Sequence, residues 1–457
     1  MFSKKTSWPL ILIILFLSNT SQAQQLAFPS AEGYGRFAIG GRGGKVLFVT
    51  NLSDSGLGSL RTAVEATFPR VIIFKVSGTI KLLSKLRITH SHITIAGQTA
   101  PGDGICLRDY PLLISANHVI VRYIRVRIGD EAGKKFDGIE IRNSEDVIID
   151  HCSVSWTLDE GVNTYHGSRN LTIQWCLISE SLHNSKLRSG HGFAASLGGV
   201  DTSYHHNLLA NHAGRNPSIA GGDLKDPTIH LDFRNNVIFN WEYRVLDGRP
   251  HSINVVNNFY KSGPASRKTS KIIKIQSLQN GTFGRWYIMG NILENMSGVR
   301  KEKGLVSIDD ANVSIESVLI NEPSPFSYVF TQPANKAFDD VLLKVGAIRP
   351  SRDSHDSRII REVQSGQTTF GDGIISSQSD VGGWPQLRST LPQVDQDSDG
   401  MPDEWELRFN PKKDLSFRSN EDLDADGYTN IEEYLNQTNP ATRNNSTVDA
   451  IDTEIGN

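Results

Sequence analysis

The sequence predicts an all-β protein folded as a parallel β-helix, a solenoid in which equivalent positions of successive coils lie above one another. Three β-rich runs share one layout, at residues 147–152, 171–176 and 202–207. Cys152 and Cys176 occupy matching places and lie 176 − 152 = 24 residues apart, about one coil. Glycine is frequent, at 40 of 457 residues, which suits a turn-rich β architecture better than a helical one.

One column of the predicted solenoid is filled mainly by asparagine. A side-chain amide both donates and accepts hydrogen bonds, so each asparagine of such a column can bond the turn of the next coil. Asparagine-rich turns occur in many β proteins, but six positions in phase favour the stacked column. Its members are Cys152, Cys176, Asn207, Asn236, Asn258 and Asn291.

The three cysteines leave two states open. Cys152 and Cys176 are predicted to stack in adjacent coils, either as a disulfide or as two buried thiols. The spacing of about 4.8 Å between neighbouring strands favours thiols. Cys106 is expected to be buried as well.

The first 23 residues have the plan of a secretory signal. Lys4 and Lys5 precede an apolar core at 9–17, and Ala23 stands at the expected cut. The core is too short to span a membrane as a helix, and no other stretch is apolar enough. We therefore expect a secreted monomer without a membrane span, located in the periplasm, at the cell surface or outside the cell. A net charge of −3 gives no reason to expect nucleic-acid binding.

Composition divides the remainder into a solenoid and a small acidic module. The first coils are predicted at 71–76, 78–82, 93–97 and 119–126, and the coil pattern fades after residue 298. A helix at 59–66 would cover the open end of the stack, and helices at 337–346 and 358–363 would pack over its side or end. The predicted organisation is a signal peptide (1–23), a solenoid (24–387), a linker (388–393), a calcium-loop module (394–437) and a polar tail (438–457).

Oxygen-bearing side chains gather in the central coils. Asp137 follows a polar loop, and Asp159, Glu160 and Asn163 fall together one coil later. Carboxylate and amide oxygens from adjacent coils suit a hard cation such as Ca²⁺, although solvated acidic turns are the alternative. Cations follow one or two coils on, and together with a metal they would suit a polyanionic sugar; neutralisation of nearby acids is the other interpretation. These cations are Lys186, Arg188, His212, Arg215, Arg244 and Arg249.

From about residue 28 to residue 387 the chain resembles the pectate lyases of polysaccharide lyase family 1, in the bacterial branch. The matching motifs are Asp-Gly-Ile-Glu-Ile from Asp137, Asp-His-Cys-Ser from Asp150, Tyr-His-His-Asn ending at Asn207, Asn-His-Ala-Gly-Arg-Asn-Pro around Arg215, and Val-Gly-Gly-Trp-Pro at 381–385. The resemblance implies a right-handed parallel β-helix that cleaves α-1,4-linked polygalacturonate by Ca²⁺-dependent β-elimination.

The same resemblance implies roles for individual residues. Arg215 falls on the catalytic base that removes the C5 proton of the uronate, and Asp137, Asp159 and Asn163 fall on calcium ligands. Lys186 and Arg249 fall on the family's substrate-binding cations. Arg244 and His212, from the group of cations above, are expected to bind substrate as well. Three positions depart from the family pattern: Lys135 and Asn163 stand where aspartate is common, and Ala220 where arginine is common.

An arginine base imposes a physical condition. A free guanidinium does not deprotonate near neutrality, so neighbouring cations and partial burial must disfavour its charged form. This predicts an alkaline optimum and, unlike glycoside hydrolysis, needs no pair of catalytic carboxylates.

Two loops after Pro392 match a calcium-binding template, with acids at positions 1, 3 and 5, glycine at 6 and glutamate at 12. They resemble dockerin-like or thrombospondin type-3-like repeats, and whether they dock to a partner or stiffen the chain stays open. The ligand positions are Asp395, Asp397, Asp399, Asp403 and Glu406 in the first loop, and Asp422, Asp424, Asp426, Asn430 and Glu433 in the second.

Two other functions are compatible with a solenoid. A polygalacturonase-type hydrolase would need several aspartates near a histidine; Asp150 and His151 are a start, but their column position looks structural. A non-catalytic, carbohydrate-binding or adhesive solenoid would explain the fold and the calcium loops but gives the segment around Arg215 no purpose.

Overall fold

The computed structural model describes residues 24–221, 225–267, 271–294, 302–410, 412 and 415–444. The expected signal peptide and the tail from residue 445 onward lie outside them. The described chain coils into a parallel β-helix, and all strand pairs within its three sheets are parallel. This confirms the predicted fold class.

Each coil contributes in turn to sheets 1, 2 and 3. Within the described residues, sheet 1 contains β1 Lys45–Val49, β2 Arg70–Phe74, β5 Ile93–Ala96, β8 Val119–Arg122, β11 Glu145–Asp150, β14 Arg169–Gln174, β17 Val200–His205, β20 Ile229–Arg234, β23 Ser252–Val256 and β26 Arg285–Met289. Sheet 2 contains β3 Gly78–Lys81, β6 Ile105–Arg108, β9 Ile124–Arg127, β12 Ser153–Ser155, β15 Leu177–Ser179, β18 Leu208–His212, β21 Val237–Trp241, β24 Phe259–Lys261 and β27 Ile292–Leu293. Sheet 3 contains β4 Leu86–Ile88, β7 Leu112–Ile114, β10 Ile139–Arg142, β13 Glu160–His166, β16 Phe193–Leu197, β19 Ser218–Ile219, β22 Leu246–Gly248, β25 Ile273–Ile275 and β28 Val306–Ile308.

The asparagine column is present as predicted. The Oδ1 atom of Asn236 accepts from the backbone N–H and from the side-chain Nδ2 of Asn207, both at 3.0 Å. Asn258 accepts the same pair of bonds from Asn236, and Asn291 accepts them from Asn258. At the start of the column, Asn207 Oδ1 accepts from the backbone N–H of Cys176 at 2.8 Å. With the bond to Cys176, the ladder joins five successive coils at one corner.

A sharp bend precedes each rung of this column. Tyr123, His151, Trp175 and His206 have φ between 51° and 57°, in the left-handed region. Their rings also stack, with centroids 4.4 Å apart for Trp175 and His206. The bend at Tyr123 divides the predicted run 119–126 into β8 and β9, because the chain leaves sheet 1 for sheet 2 at that residue.

Aliphatic and aromatic side chains fill the interior of the solenoid, including the wholly buried Trp156, Trp241 and Trp286. Cys106, Cys152 and Cys176 are buried thiols, which confirms the favoured interpretation and rules out the disulfide.

Five α-helices lie in the described chain: α1 Leu60–Val64, α2 Ala334–Lys344, α3 Ser354–Ser365, α4 Asp403–Phe409 and α5 Asn430–Asn436. Ser59 caps α1 by accepting from the N–H of Thr62, and Leu60 and Val64 close one end of the core. Helices α2 and α3 pack on sheet 2, where Val341 and Ile359 meet Leu208 and Phe239. Strand β28 continues the solenoid past residue 298, where the sequence pattern had faded.

Sheets 1 and 2 are covered on their outer faces. The N-terminal segment crosses sheet 1, where Gly35 N–H donates to Thr172 Oγ1 at 2.9 Å. Further along that sheet, Asn254 donates to the carbonyl of Ser324, and the C-terminal module packs on its first strands. In the part of the chain that the structure describes, no helix has the length and apolar character needed to cross a membrane.

Candidate active site

Three carboxylates meet at the edge of sheet 3. Asp137 lies just before β10, while Asp159 and Glu160 lie at the start of β13, one coil later. These residues can bring one oxygen each within 4.8 Å of one another. Burial, followed by repulsion from Glu140 and Asp159, raises the pKa of Asp137 to about 7. Nearby cations therefore do not offset burial and repulsion at Asp137.

Asn163 completes this acidic group. Its Nδ2 donates to Asp137 Oδ2 at 3.1 Å, and its Oδ1 is buried without a hydrogen-bond partner in the described structure. A buried, unpartnered amide oxygen beside three carboxylates is the donor set that a hard cation prefers. The residues present therefore fit Ca²⁺.

Arg215 reaches the acidic group from two coils away. It lies between β18 and β19, and its guanidinium carbon stands 4.2 Å above the centre of the Phe193 ring. Its Nη1 forms an ion pair with Glu160. Burial and the nearby Arg244 lower the pKa of Arg215, whereas the carboxylate of Glu160 favours its charged form. The side chain is 31% exposed, so its outer side stays open to solvent.

The sequence placed Glu160 with the oxygen-bearing side chains of the central coils, but Glu160 was not among the predicted calcium ligands. A short internal repeat carried the signal: Asp137-Gly-Ile-Glu140 and Glu160-Gly-Val-Asn163 have the same pattern of residue types. The structure pairs Ile139 with Val162 and Glu140 with Asn163 across β10 and β13, which places Glu160 beside Asp137. Aligning the two segments would have identified Glu160 as the counterpart of the predicted ligand Asp137.

Other cations flank the acidic group. Arg188 forms an ion pair with Asp159, and His191 Nε2 lies 3.9 Å from the same carboxylate. Arg244 binds Asp247 through Nε at 2.6 Å and Nη2 at 3.0 Å. Arg244 is thereby fixed near Arg215.

The remaining predicted substrate residues divide into two kinds. Lys186 and Arg249 are exposed. His212 is fully buried, with Nδ1 accepting from the N–H of Ser181 and Nε2 bonded to the carbonyl of Ile178. Burial lowers the pKa of His212 to about 4. The expectation that His212 contacts substrate is therefore wrong, because its side chain points inward and both ring nitrogens are occupied.

The pair Asp150 and His151 lies elsewhere. Asp150 ends β11 in sheet 1 and is fully buried, bonded to Arg122 Nε at 2.7 Å and to His151 Nδ1 at 2.8 Å. Its position agrees with a structural role rather than a hydrolytic one.

The two C-terminal loops also bring their acids together. Asp395, Asp397 and Asp399 form one cluster, and Asp422, Asp424 and Asp426 form another. Asp403 and Glu406 lie on α4, and Asn430 and Glu433 lie on α5.

The fold and the site together define a β-helix protein with one open, charged sheet suited to a polyanionic chain. No family model matches the sequence. Probable pectate lyase C of Aspergillus fumigatus (strain CBS 144.89 / FGSC A1163 / CEA10) is 35% identical over 451 residues, which cover 96% of this chain and 99% of the fungal protein. Probable pectate lyase C of Aspergillus terreus is 34% identical over 428 residues, 91% of this chain and 95% of that protein. The chain belongs to the pectate lyase family.

These relatives correct one expectation. The proteins that carry the family assignment are fungal, so placement in the bacterial branch is wrong. A plant protein, probable pectate lyase 12 of Arabidopsis thaliana, is 27% identical over 320 residues, 65% of this chain and 63% of its own.

Solved structures agree on the fold. Jun a 1, the major allergen from cedar pollen, superimposes with a TM-score of 0.51 at 19% identity, covering 69% of this chain and 92% of the allergen. A pectate lyase bound to a hexasaccharide gives 0.50 at 13% identity, covering 72% and 99%.

Proposed function

We propose that the protein is a secreted pectate lyase that cleaves α-1,4-linked polygalacturonate by Ca²⁺-dependent β-elimination. The observation that carries the proposal is the meeting of the acidic group and Arg215 on one face of a chain from the pectate lyase family. Export is supported by the signal-like plan of residues 1–23.

The metal would be held by Asp137, Asp159 and Asn163, with Glu160 as a fourth ligand. The unpartnered Oδ1 of Asn163 and the raised pKa of Asp137 support this set. When bound, Ca²⁺ supplies positive charge that neutralises the uronate carboxylate and makes the C5 proton more acidic.

Arg215 acts as the base in this proposal. The neutral guanidine takes the C5 proton, the C5–H electron pair forms the C4–C5 double bond, and the C4–O bond breaks. The glycosidic oxygen leaves with the neighbouring sugar and gains a proton from solvent. Burial and Arg244 favour the neutral guanidine, since both lower its pKa. Activity should therefore rise with pH into the alkaline range.

The other cations orient the polymer. Lys186 and Arg249 are exposed and available to uronate carboxylates, whereas Arg244 is held by Asp247 and acts mainly through its charge. Arginine binds carboxylates in two-point geometry, which suits a regularly spaced polyanion.

The test is absorbance of the unsaturated uronide on polygalacturonate at alkaline pH, with Ca²⁺ and then with chelator. Arg215→Ala is compared with Arg169→Ala, an exposed arginine on sheet 1 that serves as the matched control. A rise that needs both Ca²⁺ and Arg215, and persists in Arg169→Ala, supports the proposal.

Other outcomes identify the alternatives. New reducing ends without unsaturated product would indicate a polygalacturonase-type hydrolase. Polymer binding without turnover would indicate a non-catalytic solenoid. Elimination that survives Arg215→Ala would keep the reaction and assign the base elsewhere.

A further inference from the structure

The first C-terminal loop, residues 395–406, contains a buried carboxylate that no cationic side chain neutralises among the residues that the structure describes. Glu406 is 0% exposed, and neither of its oxygens has a hydrogen-bond partner in the described structure. Asp395, Asp397 and Asp399 gather beside it. A buried, unpaired carboxylate is strongly destabilising, so this arrangement favours the binding of a cation.

The second loop, residues 422–433, repeats the pattern independently. Asp422, Asp424 and Asp426 form its cluster. Buried oxygens without a partner among the described residues are Asp424 Oδ2, Asn430 Oδ1 and Glu433 Oε2. Glu433 occupies the place that Glu406 has in the first loop, twelve positions from the start.

The turn of each loop is pressed against another part of the chain. Gly400 and Gly427, the sixth residues, have φ of 104° and 98°. A Cβ at Gly400 would lie 2.7 Å from Ile73 Cδ1 and 2.8 Å from Val46 Cγ1, both on sheet 1, and one at Gly427 would meet Gln25. The glycine turn that a calcium loop requires at its sixth position therefore also allows the loop to pack closely against the rest of the chain.

The helices that follow the loops are attached to the same sheet. Met401, Ile431 and Leu435 form one apolar cluster with Val71 and Ile73 of β2. Two polar contacts flank it. Arg42 binds Glu432 at 2.9 Å, and Arg122 Nη1 donates to Asn436 Oδ1 at 2.7 Å.

We infer that the two loops bind two Ca²⁺ ions and that the occupied loops form a clasp, which holds the C-terminal module on sheet 1 of its own solenoid. Because the docking side of the module is already buried against β1, β2 and Arg122, the occupant of that surface is this chain rather than a separate partner. This inference is independent of the proposed function.

The experiment counts bound calcium in the full-length chain. Chelator-treated protein is titrated with CaCl₂ by calorimetry, for the wild type and for Glu406→Gln, Glu433→Gln and the double variant. Glu404→Gln is the matched control, since Glu404 lies on the same helix α4 but is exposed. Each single variant should bind one ion fewer than the wild type and the double variant two fewer, while the control should match the wild type.

The clasp is tested by thermal unfolding and limited proteolysis of the same proteins. Ca²⁺ should raise the unfolding midpoint of the wild type and of Glu404→Gln by several degrees, and it should slow cleavage around the linker 388–393 at least tenfold. Both effects should be lost in the double variant. Arg42→Ala, which breaks the contact with Glu432 without removing a ligand, should keep the calcium count and reduce the protection.

Three results would overturn the inference. One is an unchanged calcium count in both single variants. Another is a wild type whose midpoint and cleavage rate do not respond to Ca²⁺ although ions bind. The third is full protection in the double variant. If a variant does not fold, the calcium count of the wild type is compared with that of Asp137→Asn. This variant lacks one ligand of the acidic group, and the two ions of the C-terminal loops should remain bound to it. Elimination activity is recorded separately, so failure of the proposed function would leave these readouts intact.

Discussion

Sheets 1 and 2 of this solenoid, which are covered, and sheet 3, which is open, carry the same types of charged residue in different environments. On sheet 2, Arg127 is 0% exposed and binds Asp353 and Asp356 at the start of α3, at distances down to 2.6 Å. On sheet 3, Arg215 is 31% exposed and pairs with Glu160 at the edge of the acidic group. The first pair is sealed by a helix, and the second is open to a ligand.

Burial under another segment of the chain, rather than residue type, separates the charged residues that stabilise the fold from those available for chemistry. Arg122 and Asp150 on sheet 1 lie under Phe28 and Asn436 and are no more available than a core residue. Lys186, which lies before β16, and Arg249, which follows β22, are exposed at the ends of sheet 3 strands. Breaking a covered pair should therefore cost stability, and breaking an open pair should cost activity.

The largest effect is expected at Arg215. Arg215→Ala should lower kcat on polygalacturonate by about 10²- to 10⁴-fold, the usual contribution of a general base. The unfolding midpoint should change little because the side chain is partly exposed. Steady-state kinetics and thermal unfolding measure the two quantities. A large loss of stability with normal kcat would reverse the distinction between the two regions.

Arg127 should show the opposite result. Arg127→Met would leave Asp353 and Asp356 buried without their main cation, so the free energy of unfolding should fall by about 3–5 kcal/mol. Denaturant unfolding measures it, and the kcat of the folded fraction should stay within twofold. Arg169→Met on the exposed side of sheet 1 is the control and should cost less than about 1 kcal/mol.

Asp150 gives the covered sheet a pH signature. Burial opposes its ionisation, but His151 and Arg122 hold the pKa of Asp150 well below its ordinary value. A carboxyl group with a lowered folded-state pKa contributes stability above its unfolded pKa of about 4 and loses it as the pH falls further. Asp150→Asn should therefore cost about 2 kcal/mol at pH 7 and progressively less as the pH falls from about 4 to about 2. An equal cost at pH 7 and at the low end of this range would contradict this assignment.

Glu160 belongs to the acidic group and also pairs with Arg215. Glu160→Gln should raise the Ca²⁺ concentration for half-maximal activity about tenfold, since one anionic ligand is lost. Calorimetric titration and calcium-dependent rates measure this. Glu145→Gln, on sheet 1, should leave both unchanged.

The smallest effects are expected at the exposed cations. Lys186→Ala and Arg249→Ala should each raise KM a few-fold with kcat nearly unchanged, because solvent-exposed ion pairs contribute about 1 kcal/mol or less. Substrate titration at two salt concentrations measures this, and added salt should reduce the difference from the wild type. A fall in kcat without a change in KM would place these residues closer to the reacting atoms.

The periodic parts of the molecule could be predicted from the sequence. The offset between Cys152 and Cys176 and the asparagine column identified the coils, because a parallel ladder repeats the same environment at each coil. The meeting of Asp137, Asp159 and Asn163 followed from the same periodicity.

The features that could not be predicted from the sequence depend on side-chain direction and on long-range packing. His212 was assigned to substrate as one of the cations that follow the acidic side chains by one or two coils, but the strand β18 turns its ring inward. The packing of the C-terminal module on β2 brings together residues more than 300 positions apart in the sequence. Neither segment alone indicates that it packs against the other. Strand β28 was missed because Asn291 marks only the corner of its coil between sheets 1 and 2, and the column gives no signal for the strand of sheet 3.

The asparagine ladder has a consequence for the length of the open sheet. Each amide bonds groups on neighbouring coils: the adjacent asparagines of the column and a backbone carbonyl of the preceding coil, such as that of Tyr204 for Asn236. The register at one rung therefore does not depend on how many rungs follow. The segment from Asn236 up to Asn258 spans one such repeat of 258 − 236 = 22 residues. A second copy inserted in tandem would preserve the bonding at both junctions and lengthen the solenoid by about 4.8 Å. Because that repeat carries Arg244 and Arg249, the insertion would also add cations along the open sheet, and the protein could be extended one sugar-binding position at a time.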